Sequence, residues 1–264
     1  MNTISPLAYV HPNAKLGDNI VIKPFAYIED NVEIGDGCEV NSHVSILSGA
    51  RIGKNNKFFD GCIIAASPQD FRWKGEEGLV EIGDNNTIRE YVIINRSIHD
   101  GKATVIGHDS FIMAQSHIAH DTEIGNFVVI GNSVKIAGYC KIGNYSILSS
   151  SALVHEHCEI GEWVLIKGGC RVNNHVPPYV IMAHNPISYF GVNAFILGKG
   201  KFPENIIDDI AKSYRHVYQS NTSAFNAMVR IKSDVNQGKE RDAIIDFIEK
   251  HNYKIAALAL ETNL

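Results

Sequence analysis

Residues 106–125 read IGHDSFIMAQSHIAHDTEIG, with an aliphatic residue at 106, 112, 118 and 124. A spacing of six suits neither the 3.6-residue turn of a helix nor the two-residue alternation of a strand. It suits a chain that makes a short strand, turns a corner and repeats. Followed outward, the series continues through Ile130, Ile136, Ile142, Leu148, Val154, Ile160 and Ile166 to Val172. A second series runs from Ile4 through Val10, Leu16, Ile22, Ile28, Ile34, Val40, Ile46, Ile52 and Phe58 to Ile64, and the fragment Ile82, Ile88, Ile94 lies between the two. Aliphatic-glycine pairs recur mostly at every third hexad, as at Ile124-Gly125, Ile142-Gly143 and Ile160-Gly161. Three strands therefore close one coil, each face sends one bulky aliphatic inward, and stacked coils pair through their backbones. This predicts a parallel β-helix. Gly, Asn and Asp would take the positive-φ corners, as in GDN at 17–19, GDG at 35–37 and GDNN at 83–86.

Near 65–81 and again near 96–105, polar residues stand where the period wants apolar ones, and both segments read as loop excursions from the coil. The first is the richer, with Gln69, Asp70, Phe71, Arg72 and Trp73. After Val172 the period fades. From Pro203, PENIIDDIAKSYRHVYQS puts proline at a first helical position, acids in the first turns, and Ile206, Ile207, Ile210, Tyr214 and Val217 on one face. Segments 223–231, 240–251 and 253–260 also read as helical. The expected organisation is an all-β solenoid over 1–190 followed by a small C-terminal α-helical domain over 191–264 that caps the last coil.

A formal charge of −5 over 264 residues provides no broad basic field for nucleic acid or an anionic membrane surface. No run approaches the roughly 20 apolar residues of a membrane span, so stable membrane insertion is not expected. Five cysteines without a CxxC spacing favour neither a disulfide framework nor a zinc knuckle, and point to a reducing cytoplasmic setting.

Between Ile106 and Val172 side chains three hexads apart should lie above one another. His120, Gly138, Glu156 and Asn174 then form one column and Asp121, Tyr139, His157 and His175 the next, with His155 beside them. Such a corner holds the parts of an acyl transfer to a hydroxyl. A carboxylate at Asp121 can orient His120 as a base, and the Gly138 N–H can meet a developing oxyanion. Cys140 and Cys158 read as small packing residues. Zinc held by His117, His120, His155 and His157 is the competing chemistry, but HIAH and HEH lack the ligand spacing of coils that bind it, and no metal is expected.

The hexads, PQDFRWKGE, EIGDNNTIREYVIINR, HIAHDTEIG, GGCRVNNHVPPYVI and FGVN, with a helical tail, together resemble the UDP-N-acetylglucosamine 3-O-acyltransferase family of lipid A biosynthesis over essentially the whole chain. The resemblance implies a left-handed β-helix and a homotrimer with sites between subunits. It also implies transfer of a hydroxyacyl group from acyl carrier protein to the sugar 3-hydroxyl of the UDP-sugar. No cofactor is implied beyond the phosphopantetheine that carries the donor acyl group. His120 matches the base, Asp121 its orienting carboxylate and Gly138 the oxyanion donor. Gln69, Asp70, Arg72, His117 and His155 match sugar-nucleotide or site positions, Gly168 the position that tunes acyl length, and Asn193 a nucleotide contact.

This chain departs from the family at several of these places. Arg72 replaces a usual lysine, Tyr139 a usual histidine, Glu156 a usual glutamine, and Lys199 a usual arginine, while Gly200 replaces another and NRSI stands for NRGT. The side chains at 72, 139, 156 and 199 are carried as substrate-contact positions with altered chemistry. Lys141, Lys167, Arg171, Lys199 and Lys201 are candidates for a basic patch that meets acidic carrier protein. Two alternatives share the same residues: a divergent enzyme using another nucleotide sugar or a coenzyme A thioester, and a lapsed homologue that binds ligand without turnover.

Overall fold

The hexad period becomes a run of short strands, most of them a single pair of residues, each ending in a side chain that turns inward. The computed structural model describes residues 1–220 and 222–257. Every third strand of the coil joins the same sheet, giving sheets of 11, 9 and 8 strands on the three faces of a left-handed β-helix, all parallel except for one antiparallel strand at the end of the largest. Register follows the repeat: Ile112 faces Ile130, Ile118 faces Ile136 and Ile124 faces Ile142, in each case three hexads on. The inward column from Ile22 to Val172 is buried. Each such aliphatic contributes about 1.5–3 kcal/mol of burial. Ile4 departs from expectation at 43% exposure, because its coil has a neighbour on one side only.

The corners depart from expectation more instructively. Positive φ recurs at every sixth position, and Asn19, Gly37 and Asn85 occupy such corners as predicted. Phe127, Tyr139, Tyr145 and Trp163 take it too. A bulky side chain there is sterically disfavoured. Stacking between coils offsets the cost: ring centroids lie 4.9 Å apart for Phe127 and Tyr145, 4.2 Å for Tyr145 and Trp163, and 4.8 Å for Tyr139 and His157.

Both interruptions leave the next coils in register, with one local shift at the exit of the first, where Ile64 faces Ile94 but Ala66 faces Asn95. Ile52 faces Ile82 and Ile82 faces Ile106, so the first excursion adds two hexads to the three-hexad turn and the second adds one. Strands run into the expected bounds, at Ile63–Ala66, Leu79–Ile82 and Ala103–Ile106, which confines the excursions to 67–78 and 96–102. They meet at Gly78, where a Cβ would lie 2.0 Å from the Ser97 carbonyl oxygen.

The last coil is tighter than expected. Ile160 pairs with Val176 and Leu165 with Ile181, two positions short of three hexads in both cases. The predicted columns therefore end at Glu156 and His157. The shortening falls in the corner after Arg171–Val172, which carries His175 away from His157 and under Glu159, whose amide donates to its Nδ1.

Beyond it come a strand at Ser188–Val192, antiparallel to Val180–Ala183, and helices α1 (Ala194–Lys199), α2 (Glu204–Tyr218), α3 (Ala224–Asp234) and α4 (Lys239–Lys250). Pro203 is the N-cap of α2 rather than its first helical residue, and Ser223 caps α3 by accepting from the Asn226 amide. Helix α1 has no counterpart among the segments that read as helical in the sequence. The predicted helix at 253–260 is not one over 253–257, where Ile255 instead bridges His175; residues 258–260 lie outside the described residues. The tail is tied to the coil by Tyr214, whose hydroxyl donates to the Pro178 carbonyl at 2.5 Å, and by His251 stacked on His175 with centroids 3.7 Å apart. No helix among the described residues is long and apolar enough to cross a membrane.

Candidate active site

The strand His117–Ile118 turns Ile118 inward, which leaves His117 outward and carries the chain into a corner at Ala119, His120 and Asp121. Asp121 holds φ 57°, a conformation that aspartate tolerates better than most residues. This bend brings its carboxylate back against its own neighbour. His120 Nδ1 lies 2.9 Å from Asp121 Oδ2. A carboxylate only accepts, so Nδ1 carries the proton and, in the neutral ring, Nε2 is the bare base. His120 is 5% exposed, and its Nε2 lies 3.3 Å from Asp70 Oδ2.

Asp121 is itself held by the second excursion and the strand that follows it. The Ser97 hydroxyl donates to Oδ1, the Ile98 amide donates to Oδ2 at 3.2 Å, and the Asp121 amide donates to Thr104 Oγ1 at 2.8 Å. Burial pushes this carboxyl upward, but the hydrogen bonds from His120, Ser97 and the Ile98 amide outweigh it and hold the group below the usual range. Ser97, Ile98 and Thr104, which hold Asp121, are not singled out by the sequence. The available signal is the extra hexad between Ile82 and Ile106, which lays the short excursion beside the coil that carries Asp121.

Gly138 stacks on His120 as predicted. A Cβ at 138 would lie 2.6 Å from His120 Cε1 and 2.8 Å from Nε2, so only glycine lets the ring lie there. Neighbouring amides enter the ladder, Ala137 N donating to Val154 O and Tyr139 N to His120 O, while among the described residues the Gly138 N–H has no backbone acceptor. His120 and Gly138, whose amide is thus left without a backbone partner, line the same space. That space is a groove of about 510 Å3 lined by Gln69, Asp70, His117, His120, Gly138 and His155, with Asn95, Lys135 and Glu156 at its walls.

The altered positions satisfy one another. Arg72 donates from Nε and Nη2 to Asp70 at 2.9 and 2.7 Å, donates from Nη2 to Glu156, and lies 5.4 Å from the centroid of Tyr139. Hydrogen bonds from the Arg72 side chain and amide hold Asp70 well below the usual carboxylate range. Tyr139 meets the His120 ring edge-on at 5.2 Å, and its hydroxyl lies 3.0 Å from His99 Nε2. Both excursions are therefore fastened to the corner through Arg72 and Tyr139.

Other expected contacts lie elsewhere in the single chain. Gly168 is exposed, Asn193 is 1% exposed with its amide donating to the Trp163 carbonyl at 3.0 Å, and Lys199 sits 4.6 Å over the Phe195 ring; none of the three lines the groove. The five proposed basic residues form no single patch. Lys141 lies in the 8-stranded sheet paired with Glu123 at 2.8 Å, Arg171 in the 9-stranded sheet, and Lys167 follows a strand of the 11-stranded sheet. Successive corners turn them apart.

Among the described residues, those within metal reach of one another are Asp70, His120 and Glu156 rather than four histidines, and the Arg72 guanidinium already bridges the two carboxylates. Cys140 and Cys158 are buried, and burial pushes their thiols up to about 12 and about 11. They are packing residues rather than nucleophiles.

The chain is similar to known proteins along its length. Residues 103–138 match the bacterial transferase hexapeptide (six repeats) family, residues 175–256 the second domain of Udp N-acetylglucosamine O-acyltransferase, and residues 4–103 the GMPPB C-terminal domain. An acyl-[acyl-carrier-protein]--UDP-N-acetylglucosamine O-acyltransferase of Thermodesulfovibrio yellowstonii is 38% identical over 94% of this chain and 97% of its own. Its counterpart in Syntrophobacter fumaroxidans is 36% identical over 93% and 96%. The crystal structure of a UDP-N-acetylglucosamine acyltransferase from Bacteroides fragilis superposes with a TM-score of 0.93 at 42% identity, covering 98% of this chain and 100% of that one. Likeness this even from end to end takes in the coil, the excursions that hold His120 and the helical tail alike, and the chain belongs to the acyl-[acyl-carrier-protein]--UDP-N-acetylglucosamine O-acyltransferase family.

Proposed function

We propose that the protein moves a 3-hydroxyacyl group from acyl carrier protein to the 3-hydroxyl of UDP-N-acetylglucosamine, the opening reaction of lipid A biosynthesis, in the cytoplasm. The observation that carries this reading is His120, hydrogen-bonded through Nδ1 to Asp121 and stacked on Gly138, in a chain of that family. The sugar hydroxyl gives its proton to His120 Nε2 as its oxygen attacks the thioester carbonyl. The tetrahedral oxyanion accepts from the Gly138 N–H. The C–S bond then breaks, and the leaving phosphopantetheine thiolate takes the proton back from His120. Asp121 stabilises the imidazolium between these steps. These residues need no metal or organic cofactor for any step.

Gln69, Asp70, His117 and His155 would hold the sugar in the groove, while Arg72, Tyr139 and Glu156 fix its outer wall. Gly168 and Lys199 would reach the acyl chain and the diphosphate only across a subunit boundary, with Asn193 holding the start of α1. A trimer is supported by the outer face of the 11-stranded sheet, where Phe111, Val129, Ile147 and Leu165 form a half-buried apolar stripe. The 8-stranded sheet carries ion pairs instead, Lys15 with Glu33 and Lys141 with Glu123. We further read residues 1–190 as the catalytic solenoid and 191–264 as a helical domain.

The test is a product analysis by mass spectrometry, in which the purified protein receives 3-hydroxyacyl carrier protein or the matching coenzyme A thioester with UDP-N-acetylglucosamine or another UDP-sugar. A 3-O-acylated UDP-N-acetylglucosamine formed from the carrier-protein donor is expected. Product from coenzyme A alone, or with a different sugar only, would replace this assignment with that of a divergent enzyme, and binding without product with that of a lapsed one.

A further inference from the structure

His117 lines the groove beside His120, yet the ring is oriented by a residue outside its own coil. Its Nε2 lies 2.6 Å from Asn95 Oδ1. The Asn95 amide cannot be reversed, because its Nδ2 donates to two carbonyl oxygens at the root of the first excursion, Ala66 at 3.3 Å and Ser67 at 2.8 Å. Turning it over would set three acceptors together. Oδ1 therefore faces the imidazole, and an amide oxygen only accepts. Among the described residues no protein group hydrogen-bonds His117 Nδ1.

We propose that Asn95 is a positioning residue that fixes His117 as the Nε2–H tautomer, so that the unprotonated Nδ1 is an acceptor for a hydroxyl or N–H of the sugar in the groove. The neutral ring is the form the surroundings favour. Burial, the Lys135 ammonium on the next coil and neighbouring His120 all hold His117 below the usual histidine range. Asn95 is 1% exposed and so acts through His117 rather than on the ligand. Because both excursions converge here, the first through the Ala66 and Ser67 carbonyls and the second directly after Asn95, this amide sets the polarity of the groove wall from where the coil is interrupted.

The ligand assignment rests on the function proposed above; the tautomer does not. It is read on the ligand-free protein by 15N NMR of histidine-labelled material, with the His117 signals identified by their loss in His117→Gln. The Nε2–H pattern is expected. An Nδ1–H pattern, or an even mixture of the two, overturns the proposal. In Asn95→Asp the carboxylate brings charge against Nε2 and can no longer donate to Ala66 and Ser67. The ring should become protonated on both nitrogens near neutral pH, and calorimetry should show UDP-N-acetylglucosamine binding about tenfold more weakly, the effect of one lost hydrogen bond. Unchanged affinity with a doubly protonated ring would overturn the acceptor role. Should Asn95→Asp not fold, the wild-type spectrum still decides the tautomer. Should wild-type protein bind no UDP-N-acetylglucosamine, the assigned function fails while the tautomer stands or falls on its own spectrum.

Discussion

The corner at Asp121, Tyr139 and His157 and the corner at Phe127, Tyr145 and Trp163 are built on the same backbone in the same coils. All of these residues hold φ between 56° and 62°, and aromatic rings stack at both corners. At the second corner the ladder completes itself and is closed by Phe202, set edge-on to Trp163 at 5.2 Å. At the first the ladder stops one coil early. Asp121 takes the place of a ring, Gly138 opens a space the width of a side chain, and His120 folds into it. Two excursions then arrive to satisfy the polar groups that the missing ring exposes. A regular solenoid acquires chemistry where one step of its own repeat is left out.

The largest expected effect comes from removing the imidazole. His120→Ala should lower kcat by about 10²–10⁴-fold in a steady-state transfer assay run where the variant remains folded, the range that general-base catalysis supplies. Next comes filling the space. Gly138→Ala sets a methyl group 2.6 Å from His120 Cε1 and pushes the ring away, and the displacement should cost about 10²-fold in kcat. At the chemically silent corner the same experiment should read as stability alone. Tyr145→Ala removes stacks at 4.9 and 4.2 Å and should destabilise the protein by about 1–2 kcal/mol in urea unfolding while kcat stays within twofold.

A smaller effect is expected where coil meets tail. Burial holds His175 and His251 below the usual histidine value, and at His251 the His175 ring across the 3.7 Å stack adds to the lowering. Between the folded values and the unfolded value of about 6.5 the unfolded chain binds more protons, so stability falls as pH drops through that window. Thermal midpoints measured from about pH 7.5 down to about pH 5 should show the decline in wild type and a shallower one in His251→Phe, which keeps the ring. The smallest effect is predicted for Arg72→Lys, which gives up the fork that joins Asp70 to Glu156 and should raise KM for the nucleotide sugar a few-fold at nearly constant kcat.

The coil and its column of His120 over Gly138 were legible because they depend on a period. Ile118 and Ile136 announce the register, and His120 over Gly138 follows by counting. Counting failed where the period itself changed, at the shortened last turn that moves His175 under Glu159; Val172, Val176 and Val180 already spell a shorter step, yet nothing in them says which corner loses residues. Aromatic residues at positive φ were hidden for a different reason, since their backbone cost is offset by stacking on rings one full coil away. The pairing of Arg72 with Glu156, far apart in the chain, follows from where an irregular excursion lands, which no repeat encodes. Ser97 stayed hidden likewise, because a short polar insertion looks the same in sequence whether it is idle or braces a carboxylate, and Asn95, at the end of the strand before it, because nothing in the repeat says that its amide meets His117.

The most direct measurement is a crystal structure of the protein soaked with UDP-N-acetylglucosamine. The sugar 3-hydroxyl should lie within hydrogen-bonding distance of His120 Nε2, with the Gly138 N–H open on the same side. A sugar seated away from His120, or one that presents no hydroxyl to Nε2, would contradict it.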